Sequence, residues 1–239
     1  MKLKVGYVLV SELLLNTNEI KKFFTGGRKL EYKKGEVILR AGEEPRGIYF
    51  IEKGYLKVYG FSKDGNEHLH LIYGPGDLFP IIWLFEGAVR NVSYEAIRPL
   101  TVWLVDKDSF LKFIKSNSKI LFGVLTHVTS LFRYYAGRID NLLYSNSYEK
   151  VAYSLIGLVD RFGTIKGKKV IISVPLTHYD IASATSITRE TASRALSRMH
   201  RKGILEYNGE HLIQINDLKS LIKIIGDDIV YGMWPELIN

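Results

Sequence analysis

The 239-residue chain predicts an α+β fold in three successive parts: an antiparallel β-roll, a long helix, and a small domain of short helices closed by a hairpin. Three observations predict it. Short β-prone runs recur about every ten residues from 28 to 106 with glycine at the breaks, the pattern of an antiparallel roll or jelly roll. Leu121, Leu125, Val128, Phe132, Tyr135, Ile139 and Leu142 then keep an unbroken alternation of four- and three-residue steps, which is a heptad helix. Beyond residue 177 come two short helical patterns, a tight turn, and two β-prone runs around Asn208-Gly209.

The roll's strands are expected at Lys29–Tyr32, Glu36–Leu39, Gly47–Ile51, Gly54–Tyr59, Glu67–Ile72, Ser93–Ile97 and Leu100–Val105. Gly42, Gly54, Gly65 and Gly76 stand where the chain must bend or take positive φ, and Ser62-Lys-Asp-Gly65 reads as a hairpin tip. These runs define a first domain over residues 1–118. His68 and His70 alternate on one strand and share a face at about 7 Å. Without a third ligand nearby they read as a surface strand, and no metal site is expected.

Residues 119–146 form the long helix and hinge. A strict heptad stripe is narrower than the face a helix lays on a globular core, so the seam reads as a two-stranded dimer interface in preference to a helix packed on its own roll. The polar Ser145-Asn-Ser147 ends it, and good N-cap residues there start a helix over 148–161.

Residues 147–225 make the last domain. Thr177 with Asp180 forms a capping-box start for one short helix, and Thr188 is the N-cap of the next. Advancing about 100° per residue from Thr188, Ala192, Ala195, Leu196 and Met199 fall on one face. Arg189, Glu190, Ser193, Arg194 and Ser197 gather on the other. The hairpin after Gly203 is a wing, so the pattern is a winged helix-turn-helix. A B-DNA major groove admits one α-helix; Arg pairs bidentately with guanine and Glu accepts from cytosine N4. From Ser186 to Gly203 five Lys or Arg, Arg198 among them, face the single Glu190, an excess suited to phosphate attraction. Thr188, Arg189, Glu190, Ser193, Arg194, Ser197 and Arg198 are therefore the candidate DNA contacts.

Composition agrees. A formal net charge of +8 points to a polyanionic partner. The absence of cysteine removes disulfides and Cys-ligated zinc or iron–sulfur clusters, and is compatible with a reducing cytoplasm. The amino terminus is too lightly apolar for a signal peptide, and no run nears the roughly 18 apolar residues of a spanning helix, so a soluble cytoplasmic protein without a membrane partner is expected. No catalytic nucleophile, Walker glycine pattern or carboxylate pair stands out, so an enzyme is not expected.

A β-roll, a long dimer helix and a carboxy-terminal winged helix-turn-helix, in that order, resemble the superfamily of the cyclic AMP receptor protein and the fumarate and nitrate reduction regulator (Crp/Fnr), from roughly residue 19 to 225. The most specific match is Arg189-Glu190-Thr191-Ala192-Ser193-Arg194, which is similar to the family's recognition helix R-E-T-x-x-R. The resemblance implies base contacts by Arg189, Glu190 and Arg194. Ser193 adds the E-x-x-S-R variant of the Fnr branch, so half-sites resembling TGTGA and TTGA both stay open. Ser186 departs from the glycine usual in the turn. The resemblance further implies a cyclic-nucleotide-binding-like roll, a homodimer on a palindromic operator in double-stranded DNA, and RNA polymerase as a partner.

The family's phosphate-binding cassette, shaped like F-G-E-L-x-L followed by R-S/T-A, is altered here. Arg90 matches the phosphate Arg, with Asn91 where Ser or Thr is usual. Pro80 replaces the Gly and loses an amide donor, and Ile81 replaces the Glu and loses the sugar acceptor. The expected effector is thus something other than cyclic AMP, in a pocket lined by Phe79, Ile81, Trp83, Arg90, Asn91 and Tyr135. Two readings stay beside it: side chains fill the pocket, or Arg90 makes a structural ion pair. An effector-independent regulator controlled by abundance, and a cyclic-nucleotide-binding-like regulatory subunit of an enzyme, are the alternative functions. Residues 226–239 form a tail with no assigned role.

Overall fold

The computed structural model describes residues 18–144, 146–209 and 211–226. The tail beyond Gly226 lies outside them. The chain packs as two units, and the division falls inside the long helix between Thr129 and Ser130.

In the first unit, helix α1 (Asn18–Thr25) precedes strands β1 (Arg28–Tyr32), β2 (Val37–Leu39), β3 (Ile48–Lys53), β4 (Leu56–Phe61), β5 (Glu67–Tyr73) and β6 (Leu78–Phe79). Helix α2 (Ile81–Glu86), strands β7 (Ser93–Ala96) and β8 (Leu100–Val105), helix α3 (Lys107–Ser116) and the start of α4 (Ser118–Tyr144) follow. Two antiparallel four-stranded sheets, ordered β1-β8-β3-β6 and β2-β7-β4-β5, make the roll. All seven strands expected from the alternating runs are present. Gly42, Gly54, Gly65 and Gly76 all take positive φ. At Gly54 (φ 92°) a side chain would also press into the Pro99 carbonyl, so glycine is required twice over.

Between the sheets the interior is aromatic. Phe79 stacks on Tyr49, Tyr73 and Tyr94, with ring centroids 4.9, 5.9 and 5.4 Å apart, and all four rings are buried. A second cluster lies under the helices: Phe24, Phe50, Phe110, Ile81, Trp83 and Leu84 pack with Ile120 and Val124 of α4. Burying each such side chain is worth roughly 1.5–3 kcal/mol, so this cluster anchors the first turns of α4 to the roll. That anchoring is why the packing boundary falls at residue 129 and not at 118, where the sequence pattern changes.

The long helix therefore carries two apolar faces. Ile120 and Val124 are buried on the roll, while Leu121, Leu125, Phe132 and Ile139 of the heptad seam stand exposed, Phe132 by 76%. Val128 packs partly against the roll's core, and Tyr135 is half-buried with its ring edge-on to Tyr134. The side chain of Leu142 lies outside the described residues.

In the second unit, Asn146 caps helix α5 (Ser147–Phe162) through a capping box with Glu149. A hairpin of β9 (Gly163–Lys166) and β10 (Lys169–Ile172) leads to α6 (His178–Thr185), α7 (Arg189–Arg201), the wing strands β11 (Leu205–Asn208) and β12 (Leu212–Ile215), and α8 (Leu218–Ile225). The wing joins the earlier hairpin in one sheet ordered β11-β12-β10-β9. The sequence shows the wing but not β9 and β10, whose Gly167-Lys168 turn is a weaker signal than Asn-Gly. The wing's turn also differs from a two-residue Asn-Gly hairpin. Asn208 pairs with Leu212, so three residues close it, and His211 takes the left-handed conformation (φ 64°) that such loops need.

Candidate nucleic-acid interface

Helix α6 begins where Thr177 Oγ1 accepts from the Asp180 amide at 3.2 Å while Asp180 Oδ2 accepts from the Thr177 amide at 2.8 Å. It ends at Ser186 in the left-handed region (φ 54°, ψ 44°), whose amide bonds to the Ala182 carbonyl. A left-handed serine costs about 1–2 kcal/mol relative to glycine's freedom there. Arg138, from the carboxy-terminal half of α4, donates from Nη2 to the Ala184 carbonyl at 2.6 Å and so satisfies one of the helix's last carbonyls.

Thr188 caps α7 by accepting from the Thr191 amide. Ala192, Ala195, Leu196 and Met199 are all buried, so the apolar stripe predicted from angular spacing is the stripe that packs inward. The opposite face is open: Thr188, Arg189, Glu190, Arg194, Ser197 and Arg198 are exposed, and Ser193 is half-buried.

These side chains differ in how far they are already engaged. Arg198 lies over the Tyr148 ring at 4.4 Å, with Lys202 at 5.9 Å from the same ring, which lays both cations along the domain's own surface. Arg194 Nη2 donates to Thr191 Oγ1 at 3.1 Å. The Ser193 hydroxyl meets His178 Nδ1 at 2.8 Å. Glu190 is held below the usual carboxylate range by its own backbone amide, the Thr188 hydroxyl, Arg189 and Arg194. It is ionised at neutral pH and can only accept hydrogen bonds, which suits an amino group such as cytosine N4.

His178, Tyr207, Tyr148 and Arg138 touch the elements of the candidate interface, contacts that the sequence did not reveal. Each acts through a contact between elements, for which periodicity and capping patterns carry no signal.

The effector residues are placed differently. Phe79, Ile81 and Trp83, the expected wall of the effector pocket, are all buried. Phe79 sits inside the roll's aromatic stack, and Ile81 and Trp83 belong to the core under α4. Lys107 seals this side, with Nζ over the Trp83 ring at 4.3 Å and donating to the Trp83 carbonyl at 3.0 Å. Pro80 stands at the N-cap of α2 and offers it no side-chain bond. Arg90 is half-buried and Asn91 exposed at the end of the same segment. Among the described residues no group of three His, Cys, Asp or Glu side chains could hold a metal ion, and no helix is long and apolar enough to cross a membrane.

A roll of two four-stranded sheets followed by a winged helix-turn-helix with an outward basic stripe defines a two-domain DNA-binding regulator. The family model of the cyclic nucleotide-binding domain matches residues 29–117, and that of the Crp-like helix-turn-helix domain matches residues 149–224. The chain is 26% identical over 194 residues to the CRP-like cAMP-activated global transcriptional regulator of Mycobacterium tuberculosis, covering 81% of this chain and 86% of the relative. It is 25% identical over 191 residues to the nitrogen fixation regulation protein FixK of Bradyrhizobium diazoefficiens, covering 80% and 79%. The solved structure of FixK2 from Bradyrhizobium japonicum superposes with a TM-score of 0.72 at 25% identity, over 83% of this chain and 96% of that one. The chain belongs to the Crp/Fnr family of DNA-binding transcription regulators.

Proposed function

We propose that the chain acts in the cytoplasm as a homodimer on a palindromic operator, reading bases with Arg189, Glu190 and Arg194, and that a small molecule other than cyclic AMP biases its activity. The observation that carries this reading is the division of α7 into a buried apolar stripe and an exposed polar one. The exposed seam of Leu121, Leu125, Phe132 and Ile139 supports the dimer, because a row of large apolar side chains left in water is the surface a second copy would cover. Two-fold symmetry then places the half-sites about 34 Å apart. RNA polymerase is the partner through which such a regulator acts on transcription.

Support for a different effector comes from the cassette. Ile81 offers no acceptor to a ribose hydroxyl, and its side chain is buried in the core. Arg90 keeps an anionic ligand in play. The aromatic stack around Phe79 favours the second reading, a regulator without effector controlled by its abundance.

Sedimentation of the protein with duplexes selected from a randomised pool tests the first reading. Two protomers per palindrome, and much weaker binding to an isolated half-site, are the expected result; one protomer bound equally well to either duplex would overturn it. A thermal-shift survey of anionic and apolar metabolites separates effector control from abundance control, since a ligand of the folded state raises its melting temperature.

A further inference from the structure

We propose that His178 is the positioning residue of the DNA-reading surface: its imidazole, bridged between Ser193 on α7 and Tyr207 on β11, sets the recognition helix against the wing and takes up a proton when duplex DNA binds. This rests on the reading of α7 as the helix that enters the groove.

The geometry is a three-element joint. His178 is the first residue of α6, fixed in place by the Thr177 cap. Its Nδ1 lies 2.8 Å from Ser193 Oγ and its Nε2 lies 2.9 Å from Tyr207 Oη, so both ring nitrogens are used and each points to a different element. The His178 and Tyr207 rings also lie against each other, with centroids 5.6 Å apart, and His200 lies 6.1 Å from the Tyr207 ring. The joint opens into a cleft of about 740 Å³ whose lining includes Thr177, His178, Tyr179, Arg189, Tyr207 and His211.

The groups that act on the imidazole are positive. Burial holds His178 below the ordinary histidine range, and Arg189 from α7 and His211 from the wing loop push it further the same way. The acid on its own helix, Asp180, is turned to the Thr177 amide and hydroxyl. In the free protein at neutral pH the ring is therefore neutral: one nitrogen donates to a hydroxyl and the other accepts from the second hydroxyl. When the ring is protonated both nitrogens donate. Ser193 and Tyr207 then both accept and turn both hydroxyl hydrogens outward. The joint stays closed, gains a positive charge and frees one more donor at a cleft that already presents Arg189.

A phosphate backbone laid along that cleft offsets the field of Arg189 and His211 and favours this charged form. The ring then binds its proton more tightly in the complex than in the free protein. The sign of the linkage follows: binding takes up a proton, so affinity rises as pH falls from the complex's value to the lower value of the free protein, and levels off below it.

Full-length wild type, His178→Gln, Tyr207→Phe and Ser193→Ala are titrated by fluorescence anisotropy. The probes are a duplex selected by the wild type from a randomised pool and a scrambled duplex of equal length. For the wild type, affinity for the selected duplex is expected to rise several-fold between about pH 8 and pH 6. His178→Gln should flatten that dependence. Tyr207→Phe, which removes one hydroxyl at a residue outside the candidate DNA contacts, should weaken the selected duplex by about 3- to 10-fold with under twofold change on the scrambled one. Ser193→Ala, whose hydroxyl is itself a candidate DNA contact, should weaken the selected duplex at least as much. Should His178→Gln unfold, Tyr207→Phe carries the test alone. A His178→Gln protein with the wild-type pH slope, or a Tyr207→Phe protein that weakens neither duplex or both equally, would overturn the proposal. Wild-type protein that binds no duplex at low salt would instead remove the reading of α7 itself.

Discussion

Phe79 inside the roll and Arg194 on the winged domain occupy opposite environments. Around Phe79, Tyr49, Tyr73 and Tyr94 close a ring stack in which each aromatic is buried. Arg194 stands in solvent and donates to Thr191 Oγ1 on the same surface. The matching family models span both regions, and the second presents its polar stripe outward. In the roll's interior Ile81 is buried in the core, and Pro80 stands at the N-cap of α2. The two regions thus respond to substitution in different currencies, stability in the first and affinity in the second.

The sharpest way to break that contrast is Phe79→Ala. It removes the ring on which three others stack, and the roll should lose about 3–5 kcal/mol of stability in denaturant-unfolding measurements. A loss below 1 kcal/mol would mean that the interior tolerates a void and can admit a ligand of that size. Phe132→Asp comes next. Placing a charge on the exposed seam should weaken self-association by on the order of 2 kcal/mol or more, seen as monomers in sedimentation equilibrium, with the fold retained. Unchanged association would remove the seam as the dimer surface. Thr177→Ala is smaller: loss of the α6 cap should cost the winged domain about 1 kcal/mol. Ser186→Gly is smaller still and opposite in sign, with a gain under about 1 kcal/mol as left-handed strain is relieved against glycine's extra chain entropy.

What the sequence disclosed follows the same division. The roll's strands were legible because one face of each is buried and alternation marks it, and Gly42, Gly54, Gly65 and Gly76 mark the bends. The helix-turn-helix was legible because caps are local: Thr177 with Asp180 and Thr188 with Thr191 are three residues apart, and Ser186 sits where the chain must turn left-handed. Helices α1, α2 and α3 were missed since eight, six and ten residues span only about two or three turns, too few repeats for periodicity to stand out beside the strands. The joint at His178 was out of reach for another reason. Ser193 and Tyr207 lie 15 and 29 residues away, and nothing but the fold brings them to one ring. The pocket residues illustrate a further limit: the sequence leaves open whether Phe79, Ile81 and Trp83 line a ligand site or fill it, and in the fold all three side chains are buried.

The central claim is that the outward stripe of α7 reads base sequence, and Arg194→Ala tests it most directly in a paired titration against a selected operator and a scrambled duplex. The account predicts a loss on the order of 1–3 kcal/mol on the operator and little change on the scrambled duplex. Equal losses on both would show that Arg194 meets only phosphate, and an unchanged operator affinity would show that the stripe does not enter the groove.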